Sequence, residues 1–489
     1  MQSFLLTTIA LTAHHAWALE IDLTNVTSIN AGAKIAVEHV LTIYGVDNQS
    51  VSIPGIFPDP YYWWEGGLAW DSMVRYWALT GDDTYNDLVH DALLWQTGDD
   101  FDYMPPNQTK TLGNDDQSTW ALAAMTAAEY GFPSPPDVTW VQLAQNVFNT
   151  QTARWDAKTC GGGLRWQIFT FNTGYNYKNS ISNGNLVQLA ARLALYTGNT
   201  TYSDWAQRAV EWSQDLGLIS EQGQVFDGSS TNTNCSTLNH LQWTSGATYL
   251  SGAVYAANLD SLVSQGKLSL HSPSMLTGFQ TSADTWQSLV RSLVAGSDVF
   301  TSNDILYEVA CEPSHNCNID QLAFKAILVR ALANTRDLTF DHQLTASHNE
   351  STSISTNGSA VASGSLHDSI NAILRTSARA AAASCSGGAD GTTCGSVWTN
   401  ATWDGSYGLG QELSALEVFL ANLPAKVLMN ANSTTGNATT SGNGTATTDG
   451  NGSSTSGSAV VNTNDAVVNG KGSTFALVCG LGMAVALLF

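Results

Sequence analysis

The chain has 489 residues, enough to bury one large core or several smaller ones. Only 12% of residues are charged, and 41 Asp+Glu against 18 Lys+Arg leave a net charge of −23. That balance excludes a basic surface for nucleic acid or anionic lipid, and 43% hydrophobic content excludes a largely disordered chain.

In chain order, the first feature is an apolar run from Phe4 that ends in Ala16-Trp17-Ala18. A short apolar stretch followed by an A-x-A-like site predicts a signal peptide over 1–18. Residues 19–425 then carry the folded domain. Strand signals are sparse, and helical patterns alternate between two kinds. The segments 66–79, 117–130, 184–196, 246–258, 321–334 and 408–420 are small and apolar all round, as buried helices are. Between them lie amphipathic segments at 83–97, 138–151, 202–216, 282–295 and 365–383, with 35–44 ahead of the first buried helix. This alternation predicts an all-α fold, an (α/α)6 barrel with the buried helices as inner ring and the amphipathic ones as outer ring. The first outer helix would close against the last inner one. A weak repeat agrees: Thr80-Gly81-Asp82-Asp83-Thr84-Tyr85 and Thr197-Gly198-Asn199-Thr200-Thr201-Tyr202 each join an inner to an outer helix, with Gly ending one and Asp or Thr starting the next. Residues 344–364 are Ser/Thr/Gly-rich and read as a surface loop.

Beyond the domain, residues 426–464 are rich in Ser, Thr, Asn and Gly and predict a glycosylated stalk. Residues 465–489 end in an apolar tail too short to span a bilayer comfortably. Small residues, a polar spacer and such a tail form the pattern of a GPI-attachment signal, with Asn464 the expected attachment residue and Asn469 or Gly470 close alternatives. Cysteine usage agrees with secretion. Cys479 lies in the tail, which leaves Cys160, Cys235, Cys311, Cys317, Cys385 and Cys394. Local spacing favours Cys311–Cys317 and Cys385–Cys394, leaving Cys160 with Cys235. Sequons begin at Asn25, Asn48, Asn107, Asn199, Asn234, Asn349, Asn357 and Asn400, and four more lie in the stalk, at Asn432, Asn437, Asn443 and Asn451. Together these features predict a eukaryotic cell-surface protein on a lipid anchor, at the extracellular face of the plasma membrane.

Polar and aromatic clusters sit just before or at the starts of the inner helices. They include Tyr61-Tyr62-Trp63-Trp64-Glu65, Gly113-Asn114-Asp115-Asp116-Gln117, Tyr175-Asn176-Tyr177-Lys178-Asn179, Gln242-Trp243-Thr244-Ser245, Asp320-Gln321 and Trp403-Asp404-Gly405-Ser406-Tyr407. If the inner helices run parallel, these clusters line one cleft over positive helix ends, which suits an uncharged ligand rich in hydroxyls. Asp115-Asp116 is the sharpest of them. Two readings stand for the pair. An Asp at a helix start is an ordinary cap, worth about 1 kcal/mol. Glycoside hydrolysis, alternatively, needs two carboxyl groups, about 5–5.5 Å apart in retaining enzymes, with one ionised and one protonated. No G-x-S-x-G or H-E-x-x-H motif is present. Asp99-Asp100-Phe101-Asp102 lacks the Gly and Glu of a calcium loop.

At these motifs the sequence resembles glycoside hydrolase family 76. The resemblance rests on Tyr62-Trp63-Trp64-Glu65, Gly113-Asn114-Asp115-Asp116-Gln117, Gly162-Gly163-Leu164-Arg165-Trp166-Gln167, Tyr177-Lys178-Asn179-Ser180-Ile181-Ser182-Asn183-Gly184 and Gly408-Leu409-Gly410-Gln411-Glu412-Leu413. It runs from about residue 28 to 423 and is similar, more narrowly, to the fungal GPI-anchored members of the "defective for filamentous growth" type. The resemblance implies an (α/α)6 barrel and a retaining, endo-acting mechanism on α-1,6-mannosidic bonds, with Asp115 as nucleophile and Asp116 as acid/base. It also implies transfer from the mannose core of a GPI anchor, or from mannan, to wall β-glucan. Where the family has a Tyr-Asn pair near the Trp of the fourth inner helix, this chain has Gln242-Trp243-Thr244-Ser245. Barrel geometry makes Trp63, Trp64, Glu65, Asn114, Trp166, Tyr177, Lys178, Asn179, Asn183, Trp243 and Tyr407 candidate substrate contacts. Trp64, Trp166 and Trp243 would be stacking platforms, and Glu65, Asn179 and Asn183 hydroxyl ligands. The chemistry requires no metal or organic cofactor. A non-catalytic wall-binding protein on the same barrel is the competing reading.

Overall fold

A computed structural model of the chain describes residues 18–46, 53–270, 279–338 and 365–429. The expected cleavage segment before residue 18, the stalk and tail from 430 onward, Asn464, and the sequons at Asn48, Asn349 and Asn357 lie outside these residues. Within them, twelve α-helices alternate in chain order: α1 (Val26–Tyr44), α2 (Trp63–Thr80), α3 (Asn86–Trp95), α4 (Asn114–Tyr130), α5 (Trp140–Ala153), α6 (Ser180–Thr197), α7 (Thr200–Asp215), α8 (Thr248–Ser264), α9 (Phe279–Gly296), α10 (Ile319–Leu338), α11 (Leu366–Ser384) and α12 (Leu409–Leu420). The even-numbered helices pack side by side in sequence, and α12 returns to α2, which closes the inner ring. Helix α1 packs on α12, as the alternation predicts.

The two helix types differ because their neighbours differ. In α4, residues 117–129 are buried without interruption, since the helix meets the axis inside and the outer ring outside. Helix α7 buries one stripe, including Tyr202, Ala206, Ala209, Val210 and Ser213, and turns its other face to water. The repeated turn is formed as expected. Gly81 and Gly198 end α2 and α6 with φ of 81° and 72°, a left-handed conformation in which a side chain is strained. Asn199 then caps α7 by accepting from Thr201 N.

The inner helices are less apolar than their patterns suggest. Their axis-facing side carries a network of charges: Arg75 and Arg330 on Glu417, Arg330 also on Asp71, and Arg192 on Glu129 at 2.7 Å. Each member is almost fully buried, and each is paired, as buried charges must be. Short strands complete the fold. β1 (Tyr177–Asn179), β2 (Gly228–Ser230) and β3 (Leu238–Asn239) form an antiparallel sheet with Lys178 opposite Ser229. β4 (Thr301–Ser302) and β5 (Ile305–Leu306) form a second, two-stranded one. The disulfides are Cys311–Cys317 and Cys385–Cys394, which local spacing favours, and Cys160–Cys235, the pair that remains. Most described tryptophans pack in the core, with Trp70, Trp120, Trp140 and Trp398 fully buried. Among the described residues no helix is long and apolar enough to cross a membrane.

Candidate active site

The N-termini of α2, α4, α6 and α10, with the turn that leads into α8, meet at one end of the barrel around a cleft of about 720 Å³. That size suits a small-molecule or oligosaccharide site. Asp115 and Asp116 lie on its floor in the first turn of α4. Asp115 is 7% exposed. One of its oxygens accepts from Asn179 Nδ2 at 2.8 Å and the other from the Asp116 amide at 3.1 Å. Asp116 Oδ2 accepts from Gly113 N at 2.7 Å, so Asp116 caps its helix while facing the cleft. The capping reading and the cleft reading therefore both apply to it.

Gly113 sets the spacing of the pair. A Cβ there would collide with Asp115 Oδ1 and stand 3.1 Å from Asp116 Oδ2. These two oxygens thus face each other across a single missing methyl, within the about 5.5 Å of a retaining pair. Burial raises both carboxyls, and the charge of Asp115 raises Asp116 further. The hydrogen bonds from Asn179 and the Asp116 amide favour the charged form of Asp115 and keep it the more acidic partner. Ionised Asp115 beside protonated Asp116 is the state this geometry favours.

The floor is braced from below. Asn114 donates to Arg165 O at 2.8 Å and accepts from Arg154 Nε at 3.0 Å, while Gln151 holds its carbonyl. The backbone at 112–114 pairs with 166–168, with Asn114 N on Trp166 O at 2.8 Å and Ile168 N on Leu112 O at 3.2 Å. This pairing hangs Trp166 on the cleft wall, where it is 37% exposed.

Of the residues singled out in the sequence, Trp63, Trp64, Asp115, Asp116, Trp166, Tyr177, Asn179 and Trp243 line the cleft together. The other five do not; four of them, Glu65, Asn114, Asn183 and Lys178, hold the frame instead. Glu65 is fully buried, and its Oε2 caps the Tyr62 amide at 2.8 Å; burial pushes its carboxyl up to about 8. Asn114 is the bracket just described. Asn183 clamps both the amide and the carbonyl of Leu164. Lys178 is neither an electrostatic partner of the cleft nor a surface charge. Its ammonium is buried against the carbonyls of Asp156, Thr159 and Gly162, with the Asp156 carboxylate at 3.4 Å. Tyr407 is 52% exposed and lies outside the cleft lining.

Two lining carboxylates, Asp320 and Asp227, are not among the candidate substrate contacts named from the sequence. Asp320, at the start of α10, accepts from Trp64 Nε1 at 2.8 Å. Asp227 accepts from Tyr177 Oη at 2.5 Å and from Trp243 Nε1 and Asn239 Nδ2 at 3.0 Å. Asp227 thereby gathers three lining residues that are distant in sequence. Asp320 was visible as a polar residue at a helix start; nothing in its local sequence marks Asp227.

The family model for glycosyl hydrolase family 76 matches residues 28–262, 265–357 and 352–436. The chain belongs to glycosyl hydrolase family 76. The family 76 chain is 42% identical over 429 residues to the mannan endo-1,6-alpha-mannosidase DCW1 of Candida glabrata, covering 87% of this chain and 86% of that protein. It is 44% identical over 409 residues to the Saccharomyces cerevisiae protein of the same name, with coverages of 82% and 81%. Among solved structures, Dfg5 from Chaetomium thermophilum in complex with glucosamine superposes with a TM-score of 0.72 at 34% identity, covering 85% of this chain and 95% of that one. The α-1,6-mannanase of a Salegentibacter species, 17% identical, shares the fold with a TM-score of 0.58 over 81% of this chain and 98% of that one. This family 76 member is thus a glycoside hydrolase on an all-α (α/α)6 barrel.

Proposed function

We propose that this glycoside hydrolase is a retaining, endo-acting α-1,6-mannosidase of the fungal cell surface that also transfers the cleaved glycan to wall β-glucan. The observation that carries the reading is the adjacent pair Asp115 and Asp116, held on one cleft floor with Asp115 hydrogen-bonded as the acidic partner. Support for the linkage comes from the relatives named mannan endo-1,6-alpha-mannosidase. A Salegentibacter α-1,6-mannanase variant with two adjacent aspartates changed to asparagine is described as inactive and in complex with α-1,6-mannotriose.

In the proposed reaction the Asp115 carboxylate attacks the anomeric carbon as the glycosidic C–O bond breaks, and the Asp116 proton passes to the leaving oxygen. Asp116, now ionised, takes the proton of an acceptor hydroxyl. The acceptor oxygen bonds to the anomeric carbon and displaces Asp115. Water as acceptor gives hydrolysis; a glucan hydroxyl gives transfer. Trp166 and Trp243 present faces for the sugar rings. The signal peptide, stalk and GPI signal with attachment at Asn464 expected from the sequence support a reaction outside the plasma membrane, and Asn25, Asn107, Asn199, Asn234 and Asn400 are proposed glycan sites within the described domain.

The test is mass spectrometry of the secreted protein incubated with an α-1,6-mannoside, with and without a β-glucan oligosaccharide. A mannosyl–glucan adduct is expected, and Asp115→Asn and Asp116→Asn should each lower turnover by at least about 100-fold while remaining folded by circular dichroism. Wild-type turnover by Asp115→Asn would overturn the assignment of the nucleophile. A glycan that binds but stays intact with every acceptor would make the protein a lectin.

A further inference from the structure

Outside the cleft, the loop between α11 and α12 is unusually well braced for a surface segment. It is tied at its base by Cys385–Cys394. Asp404 collects five hydrogen bonds, from Ser396 N, Ser396 Oγ, Val397 N, Ser406 N and Ser406 Oγ, at 2.6–3.0 Å. Trp403 lies flat on Gly387, where a Cβ would collide with the indole, and its Nε1 donates to Ser406 O at 2.7 Å. All this bracing presents aromatic rings to water: Trp403 is 38% exposed and Tyr407 52%. The core of this fold accommodates four fully buried tryptophans, so an exposed ring fixed from behind is not a packing remainder. Leaving such rings bare forfeits roughly 25 cal/mol per Å² of apolar surface, unless something covers them.

The loop is tied to a segment that enters the cleft. Leu409 N donates to Tyr61 Oη at 3.2 Å, which joins the Tyr407 segment to the one carrying Tyr62. Tyr62, itself 52% exposed, lines the cleft. We propose that Tyr62, Tyr407 and Trp403 form an accessory subsite that holds a neutral pyranose chain beyond the sugars bound at Asp115 and Asp116. The apolar C–H face of a pyranose packs on a fixed ring while its hydroxyls stay in water, and the chain's net charge of −23 disfavours an anionic occupant. The proposal rests on the mannosidase reading for the direction of the glycan but not for the subsite itself. The chain held there is either the distal part of the mannan donor or the glucan acceptor; both present the same neutral pyranose chemistry.

The experiment is calorimetric titration of the secreted chain carrying Asp115→Asn, which stops turnover. The ligands are α-1,6-mannotriose, a long linear α-1,6-mannan and a long laminari-oligosaccharide. Trp403→Ala with Tyr407→Ala should weaken at least one long chain by roughly tenfold while leaving mannotriose unchanged. Trp403→Phe, which keeps a ring on the same bracing, should restore most of the loss. A loss confined to mannan assigns the donor, and one confined to the laminari-oligosaccharide assigns the acceptor. Equal losses for all three ligands, no loss for any, or no binding of a long chain by the parent overturns the subsite. Absence of cleavage by the wild-type chain, read separately from products, overturns the mannosidase reading and leaves the subsite standing if the long-chain loss is seen.

Discussion

Asn179 shows how one side chain serves two purposes. Its Oδ1 caps α6 by accepting from Ser182 N at 3.3 Å, and its Nδ2 donates to Asp115. Asn179→Ser keeps a capping oxygen but withdraws the donor. A hydrogen bond to a carboxylate favours its charged form, so losing it raises the Asp115 pKa. The acid limb of kcat/KM should therefore move up by about one pH unit or more, read from a pH–rate profile. An unmoved limb would assign Asn179 to capping alone. Gly113 makes a second prediction at this scale. Its φ of −94° suits any residue, so Gly113→Ala carries no backbone strain and should still fold. The added methyl must nevertheless displace the Asp115 carboxylate, and a shift of that kind costs about 100-fold in turnover, measured as kcat on an α-1,6-mannoside.

At the scale of elements, the inner ring is held by more than apolar contact. Arg192 of α6 meets Glu129 of α4 through two hydrogen bonds, at 3.0 and 2.7 Å, and also reaches Leu122 O and Thr126 Oγ1. Both side chains are buried. Arg192→Met leaves the Glu129 carboxylate without its partner and should cost about 3–5 kcal/mol of stability. Adding Glu129→Leu should recover most of it, because the desolvated charge is then gone as well. Denaturant unfolding of the two variants checks this; equal stability of single and double variants would show that the pair bears no mutual energy. These charges also explain a limit of the helix patterns. A lone Arg or Glu in an apolar helix reads as a solvent-facing exception, yet here the exceptions from five inner helices pair with one another in the interior.

For the whole molecule, the buried ionisable groups set a pH optimum of stability. Burial pushes Glu65 and Glu308 up to about 8. Burial opposes the protonation of His39, but Glu412 and Asp390 outweigh it and lift His39 to about 9. All three bind more protons folded than unfolded, so their contribution is lost as pH rises through these values. Glu417 runs the other way: burial would raise it, but Arg330 and Arg75 pull it to about 2. Its contribution is lost as pH falls from the ordinary carboxylate range towards 2. Thermal unfolding should therefore be highest at about pH 4–5 and decline on both sides. A midpoint that climbs steadily to pH 8 would contradict the assigned protonation states. The excess negative charge, growing with pH, acts in the same direction.

The sequence by itself determined the helix count, the alternation of rings, the disulfide pairing and the position of Asp115 and Asp116. Nearly all of these are local: periodicity fixes a helix face, Cys311–Cys317 and Cys385–Cys394 join near neighbours and leave Cys160 with Cys235, and an Asp pair at a helix start stays at that start wherever the helix goes. Only the tertiary structure decided what each polar residue near the mouth faces. Glu65, Asn183 and Lys178 sit in the same motifs as Trp64, Asn179 and Tyr177, but one residue along a strand, or a few along a helix, turns a side chain from the cleft to its frame. Asp227 lies far in sequence from Tyr177 and becomes a cleft residue because the β1–β2 pairing sets Asn179 against Gly228, the residue next to it, and brings its carboxylate to the Tyr177 hydroxyl. Long-range pairing of that kind leaves no trace in the residues on either side, and it is what turns a row of helix starts into one shaped cleft.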